Sequence, residues 1–393
     1  MNILFFLGSG VSYKTGLPDT KAITDKLLFD QWHSDTDLNF YPGKQNNPCF
    51  DDSDITPKIQ KFLRYIKEYA DEYLRPRLID ESNYETIYYI VKQLYDELYI
   101  EADNPLIGPF IDHLYKEFDI PNNPDFTELE NPIEFKDFCS NSVNFINCVI
   151  WHSVYTDNTP IGFDLLSEII RSDVIGKIDI ATLNHDLILE KFLYNNNFNF
   201  TDAFSEPNGD FCYFNPDLYS LSENKVRLFK LHGSIDWHRL RDYDKEKNWT
   251  TDFYIKFVGK SPSYVYDKEG TFIGNTLSNH PIFLTGTMNK LSDYNFGIIR
   301  AIHLRFDEVL FQHNVLIMSG YGWNDKGING RLMEWILSSG EKKIILLHED
   351  PESIKKSRSA MWHRYDDLVK WGRLIPVKKW MSDTKLEDII KYL

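Results

Sequence analysis

The chain is short of several features that mark common protein classes. It has four cysteines in 393 residues, Cys49, Cys139, Cys148 and Cys212, and none sits in a C-x-x-C pair. That scatter argues against a zinc ribbon, which needs closely paired thiolates, and suits a reducing compartment better than a disulfide framework. No apolar run approaches the roughly 20 residues that span a bilayer. No charged segment with an apolar stretch behind it opens the chain. The first strand is expected almost at Met1, so no targeting segment is expected, and the protein is expected in the cytoplasm away from membranes. Positive charge is scarce too: 43 Lys and Arg face 59 Asp and Glu, a net charge of −16. A field of that sign repels the phosphates of nucleic acid. The exception is a C-terminal gathering of Lys355, Lys356, Arg358, Arg364, Lys370, Arg373, Lys378 and Lys379. It forms either a solvated face or a contact for an acidic partner. Internal repeats and low-complexity segments are absent from the sequence.

What is present points to a globular protein with a proper core: 42% hydrophobic and 15% aromatic residues. The opening, LFFLGSGVSYKTGLPD, is the most informative stretch. Ile3 to Leu7 form an unbroken apolar run, the signature of a strand buried on both faces of a parallel sheet. Gly8-Ser9-Gly10 ends it in a tight turn that lets the backbone approach a ligand. A helix is expected near Ser12, with its free amides facing an anion. Such a loop suits a nucleotide phosphate site, with Ser9 and Ser12 as binders rather than nucleophiles. The next glycine is Gly16, so the G-x-G-x-x-G spacing of hydride-transfer dinucleotide sites is absent, and residues 20–30 read as a helix where that fingerprint needs a second strand. The segment around Gly16 and Pro18 reads as a loop able to close over a ligand.

Further along, helical periodicity runs through Ile59 to Tyr73, Tyr84 to Tyr95, Leu106 to Phe118 and Phe135 to Tyr155, with residues 33–54 and 121–132 as polar loops. The aromatic stripes of these helices are read as core. Strands are then expected at 177–182, 226–231, 282–284, 315–318 and 343–347. Helices are expected at 187–193, 296–311, 329–337 and 352–369, and residues 239–281 as an irregular excursion containing a hairpin. Strands alternating with helices define an α/β fold, a Rossmann-like parallel sheet with helices on both faces, plus a helical insertion. The expected domains are 1–34 with 156–393 for the sheet, and 35–155 for the insertion.

Four expected strands end in clusters of Gly, Asn, Asp, His or Ser: GSGVS from Gly8, TLNHD from Thr182, LHGS from Leu231, and SGYGWND from Ser319. Carboxyl ends of strands line the ligand crevice of open α/β sheets, so these clusters should converge. Asn184 can hold a ribose hydroxyl or a water, or cap the following helix. Asp186 can orient a basic group or favour that helix's N-terminus. His232 titrates near neutrality in its ordinary state and is the candidate general base. Gly320, Tyr321 and Gly322 suit a second set of phosphate or ribose contacts. His348, after the next strand, can bind an adenosine ribose or cap a helix.

In this order and at these separations, the motifs resemble the sirtuin family. GSGVSYKTGLPD is similar to its glycine-rich opening and the Gly-Ile-Pro-Asp segment of its cofactor-binding loop, which implies cofactor roles for Gly8, Ser9, Gly10, Ser12, Pro18 and Asp19. TLNHD resembles its Thr-Gln-Asn-x-Asp motif, LHGS carries its His-Gly, and SGYGWND stands where its later nucleotide loop would. The zinc ribbon of sirtuin deacylases is missing, and Thr20-Lys21 replaces the usual Phe-Arg. Both departures resemble the bacterial sirtuin-like branch that hydrolyses NAD+ in anti-phage defence. The resemblance implies NAD+ as substrate, no metal, catalytic roles for Asn184, Asp186 and His232, a homo-oligomer, and activation by a partner such as a HerA-like hexameric ATPase or a short Argonaute. Two other readings stay open: a module that senses NAD+ or ADP-ribose without cleaving it, and an ADP-ribosyltransferase or protein deacylase.

Overall fold

A computed structural model describes all residues except 36, 45–53, 78–80, 100–103, 119–133, 245–248, 259–263, 277–279 and 357–359. Cys49, Arg358 and the stretch 121–132 lie outside the described residues. The chain divides into two compact units: Met1–Leu17 with Tyr155–Leu284 and Lys290–Leu393, and Pro18–Val154 with Thr285–Asn289.

The first unit is built on a seven-stranded sheet. Its strands are β1 (Ile3–Leu7), β4 (Ile178–Thr182), β5 (Phe200–Thr201), β7 (Val226–Lys230), β12 (Val315–Ser319), β13 (Lys343–Leu347) and β14 (Leu374–Val377). They lie in the order β14-β13-β12-β1-β4-β7-β5, and every pairing is parallel. This is the Rossmann-type α/β fold expected from the sequence. β1 is central, and the chain winds outward from it in both directions, so the sheet has its topological switch point between β1 and β12. Alternate residues of β1 divide between two cores, which is why the run is apolar without interruption. Leu4 and Phe6 face one core with Ile302 and Phe306 of the helix Gly297–Gln312 and Leu332 and Trp335 of the helix Lys326–Leu337. Ile3, Phe5 and Leu7 face the other with Leu166 and Ile169 of the helix Asp164–Arg171 and Leu189 and Leu193 of the helix Ile188–Asn195.

Several local expectations are corrected. The described residues of 239–281 are more regular than expected: the expected hairpin is present as β8 (Trp237–Asp244) and β9 (Trp249–Phe257), and with β6 (Phe211–Tyr213), β10 (Tyr264–Tyr266) and β11 (Phe272–Thr276) it forms a second sheet, all antiparallel, in the order β10-β11-β8-β9-β6. Phe211, Leu240, Ile255, Phe257 and Val265 give it a small core of its own. Ile282–Leu284 is not a strand of the main sheet. It makes a single bridge, Gly233 to Phe283, beside the loop after β7. The helix expected at 352–369 is divided into a 3-10 turn, Pro351–Lys356, and the helix Ala360–Lys370.

The second unit is helical, with a small hairpin of β2 (Trp32–Ser34) and β3 (Phe40–Pro42) inside the stretch expected to be loop. Its helices are Thr20–Phe29, Thr56–Leu74, Tyr84–Leu98, Gly108–Glu117 and Phe135–Val154. Ile59, Phe62, Leu63 and Ile66 are buried, and Phe62 makes edge-on contacts with Phe118, Phe135 and Phe138. The stripe is core as expected through Ile66, whereas Tyr69 and Tyr73, later in the same helix, are exposed. The unit begins at Pro18, so it takes in the helix Thr20–Phe29. Among the described residues no helix is long and apolar enough to cross a membrane.

Candidate functional site

The switch point brings the loops after β1 and β12 together backbone against backbone. The Gly8 amide donates to the Ser319 carbonyl and the Gly10 amide to the Gly320 carbonyl, each at 3.0 Å. A Cβ on Gly8 would stand 2.4 Å from the Gly320 oxygen, and one on Gly10 would stand 2.7 Å from the Gly320 Cα. Gly320 has a φ of 69°. These glycines are therefore required by the approach of two loops to each other. The helix expected near Ser12 is replaced by two short 3-10 turns, Ser9–Val11 and Tyr13–Thr15. The expected cradle of helix amides is not formed there, since the Gly8 and Gly10 amides are spent on the neighbouring loop.

Ser12, in contrast, turns into a polar cluster at the end of β4. It is buried, donates to Asp186 Oδ2 at 3.1 Å and accepts from Asn184 Nδ2 at 3.1 Å. That fixes which way the Asn184 amide faces: its nitrogen is held by Ser12, and its buried Oδ1 has no hydrogen-bond partner among the described residues. The other Asp186 oxygen accepts the Ile188 amide, so Asp186 both caps the turn into the helix Ile188–Asn195 and orients Ser12. Burial raises the Asp186 carboxyl above its ordinary pKa, against the pull of the Lys230 ammonium. Beneath it Lys230 forms a buried ion pair with Glu190 at 2.7 Å and donates to the Asp186 carbonyl.

His185 packs its ring on Phe283 (4.9 Å between centroids) and faces His232 (6.2 Å, 28° between planes). Burial and then the neighbouring charge of His232, Lys290 and Lys230 hold His185 well below its ordinary pKa, in the neutral form. The His-Gly turn after β7 is pinned by the returning chain: Ser234 donates its amide to Ile282, and Leu284 donates to the His232 carbonyl. Gly233 has a φ of 81°, and a Cβ there would lie 2.3 Å from the Ile282 oxygen. A glycine after this histidine is thus a steric requirement.

His232 is buried at 4% exposure. Its Nε2 lies 2.9 Å from the Tyr294 hydroxyl and 3.0 Å from Asp325 Oδ2. Tyr294 donates to the same carboxylate oxygen at 2.5 Å. Burial works to raise the Asp325 carboxyl, but the hydrogen bond and charge of His232, with the Ile328 amide and the Tyr294 hydroxyl, hold it well below the usual carboxylate range. Tyr321 turns away from the crevice: it is buried, and its hydroxyl donates to Asn329 Oδ1 at 2.8 Å.

The structure thus brings Gly8, Ser9, Gly10, Ser12, Asn184, Asp186, His232, Gly320, Tyr321 and Gly322 to the carboxyl ends of β1, β4, β7 and β12. Two others have local partners. His348 accepts the Asp350 amide on Nδ1 and packs on Trp380. Asp19 caps the helix Thr20–Phe29 through the Ala22 amide, and it belongs with Pro18 to the helical unit. Sequence reasoning did not single out Tyr294, and it gave no role to Asp325. The signal for Asp325 was its place before a helix, at the end of a cluster already singled out. In the basic C-terminal run, Lys355 pairs with Glu352 and Asp366, Arg364 with Asp367, and Lys379 with Asp388. Among the described residues no three His, Cys, Asp or Glu side chains are grouped to hold a metal ion.

Fold and site define a Rossmann-type α/β protein with a polar, histidine-bearing crevice at the topological switch point of its sheet. Residues 179–366, a little under half of the chain, match the family model described as SIR2-like domain. No curated protein sequence matches the chain. Solved structures similar to it include a serine-to-alanine mutant of a Sir2 homologue in complex with ADP-ribose, at 10% identity and a TM-score of 0.35, covering 95% of this chain and 92% of that one. A Sir2 homologue in complex with NAD aligns at 13% identity and a TM-score of 0.31, covering 94% and 88%. These scores are low, and the strand order of the sheet itself defines the fold.

Proposed function

We propose that the protein is an NAD+ glycohydrolase, which cleaves the bond between nicotinamide and ribose and releases ADP-ribose. The observation that carries this reading is the pairing, within a SIR2-like domain, of a buried histidine with an asparagine whose carbonyl oxygen is left unpartnered at the carboxyl ends of adjacent strands. In the reaction the C1′–N bond breaks with its electron pair going to nicotinamide, which leaves neutral. Water forms the new C1′–O bond and gives up a proton. The ribose passes through an oxocarbenium-like state, so the protein must position water and stabilise the developing charge. Asn184 Oδ1 is the acceptor that would hold the water or a ribose hydroxyl, its amide kept in orientation by Ser12 and Asp186. His232 would take the proton. The diphosphate would lie over the loops at Ser9 and Gly322, the exposed members of the two glycine turns.

On this reading the chain depletes NAD+, as the resemblance of its motifs to the defence branch of the sirtuins implies, with a partner such as a HerA-like ATPase as activator. General-base help is worth about 10²–10⁴-fold, so His232→Ala should lower nicotinamide release by about that factor, and Asn184→Ala should also lower it, with both variants still folded. Wild-type turnover in both variants would remove the site assignment.

A further inference from the structure

We infer that Asp325 and Tyr294 are positioning residues that hold His232 with its proton on Nε2, so that Nδ1 is the nitrogen that acts as base. The inference rests on the NAD+-cleaving reading above for its catalytic part. Its structural part stands alone.

Three observations carry it. Asp325 Oδ2 and the Tyr294 oxygen both lie within hydrogen-bond distance of His232 Nε2, at 3.0 and 2.9 Å. Tyr294 spends its own proton on Asp325 Oδ2, so both atoms facing Nε2 present lone pairs, and only a protonated Nε2 satisfies them. Second, the carboxylate is anchored independently of the histidine. Asp325 Oδ1 accepts the Ile328 amide as the N-cap of the helix Lys326–Leu337, and the Asp325 amide donates to the Tyr321 hydroxyl at 3.3 Å. Third, the tyrosine is clamped between two imidazoles, with ring centroids 5.9 Å from His232 and 4.3 Å from His303. His303 is itself fixed: Nε2 donates to the Leu231 carbonyl at 2.8 Å, and Nδ1 accepts from Arg331. Leu231 immediately precedes His232, so one buttress steadies both the backbone and the ring stack at the histidine. A carboxylate that fixes tautomer and orientation without taking the proton is the general way a catalytic imidazole is tuned.

Asp325→Asn tests this with least damage, because asparagine caps helices as well as aspartate does and changes one acceptor oxygen into an NH₂. Turned toward His232, that NH₂ would donate to Nε2 and drive the proton to Nδ1. With protein labelled with ¹⁵N-histidine, and the His232 signals identified by their loss in His232→Gln, the expected result is a protonated Nε2 in the wild type. In Asp325→Asn the expected result is a shift toward protonated Nδ1. For nicotinamide release, kcat of Asp325→Asn should fall by about 100-fold or more with KM for NAD+ within about threefold; Tyr294→Phe should lower kcat by about 3–10-fold, the loss of one supporting hydrogen bond. An unchanged His232 tautomer in Asp325→Asn, or a wild type protonated on Nδ1, overturns the inference. If the wild type releases no nicotinamide under any condition, the NAD+-cleaving reading fails, while the tautomer measurement still decides the positioning role.

Discussion

At the scale of single residues, the site rests on buried polar groups whose ionisation is set by their neighbours. Asp236, two residues after Ser234, shows this away from the crevice. Burial pushes its carboxyl up to about 6, against the attraction of Lys230 and Lys256, and its Oδ1 has no hydrogen-bond partner among the described residues. An acid whose folded pKa exceeds its unfolded value binds its proton more tightly in the folded state. Its contribution to stability therefore falls as pH rises from about 4 to about 6 and stays lost above that window. Asp236→Asn lacks that loss. Its melting temperature relative to the wild type is expected to climb between about pH 4 and pH 7, and a difference that stays flat or declines would contradict the assignment. The residues of the crevice were only partly legible in the sequence. Asn184 and His232 stand beside strand ends, where local pattern finds them. Tyr294 lies 62 residues beyond His232 in a segment without periodicity, and only the folded chain shows that its hydroxyl meets the imidazole.

At the scale of elements, the crevice is held by the fit of two glycine loops. The loops after β1 and β12 touch through main-chain atoms, and Gly320 has both a positive φ and no room for a side chain: its Cβ would lie 2.6 Å from the Val11 nitrogen. Gly320→Ala should cost about 1–3 kcal/mol from backbone strain alone, and more from displacement of the β1 loop. A lowered melting temperature together with a raised KM for NAD+ is expected, since the displaced loop includes Ser12. A variant with native melting temperature and native KM would show that the contact is dispensable. The sequence marks both loops as places where the backbone approaches a ligand, and the structure shows Gly8, Gly10 and Gly320 packed against the opposite loop. Period-two and period-3.6 patterns do not tell which backbone a glycine is making room for. The same limit hid the antiparallel sheet. Its strands carry charges such as Arg239 and Arg241 on their exposed residues, and its core of five buried side chains is too small to imprint a clear alternation on residues 239–281.

At the scale of the whole molecule, the inner strands of the main sheet were legible because β1, β12 and β13 are largely apolar runs buried on both faces, and β4 and β7 are mostly apolar despite Asp179, Arg227 and Lys230, whereas the two-residue β5 and the less buried edge strand β14 leave no such run. Their alternation with helices left a parallel, doubly wound topology as the solution. From that topology follows the location of the crevice, and from its residues the chemistry. The net charge of −16 and the internal pairing of Lys355, Arg364 and Lys379 favour a dinucleotide bound in a crevice by main-chain and neutral polar groups over a surface that grips nucleic acid. The most direct test of the account is chromatographic analysis of NAD+ incubated with the purified chain, alone and with the HerA-like ATPase proposed as its activator, beside Asn184→Ala and His232→Ala. The account predicts equimolar nicotinamide and ADP-ribose from the wild type, and neither from the two variants beyond a small residue. NAD+ bound but recovered intact under every condition, or ADP-ribose found attached to protein in place of free product, would contradict it.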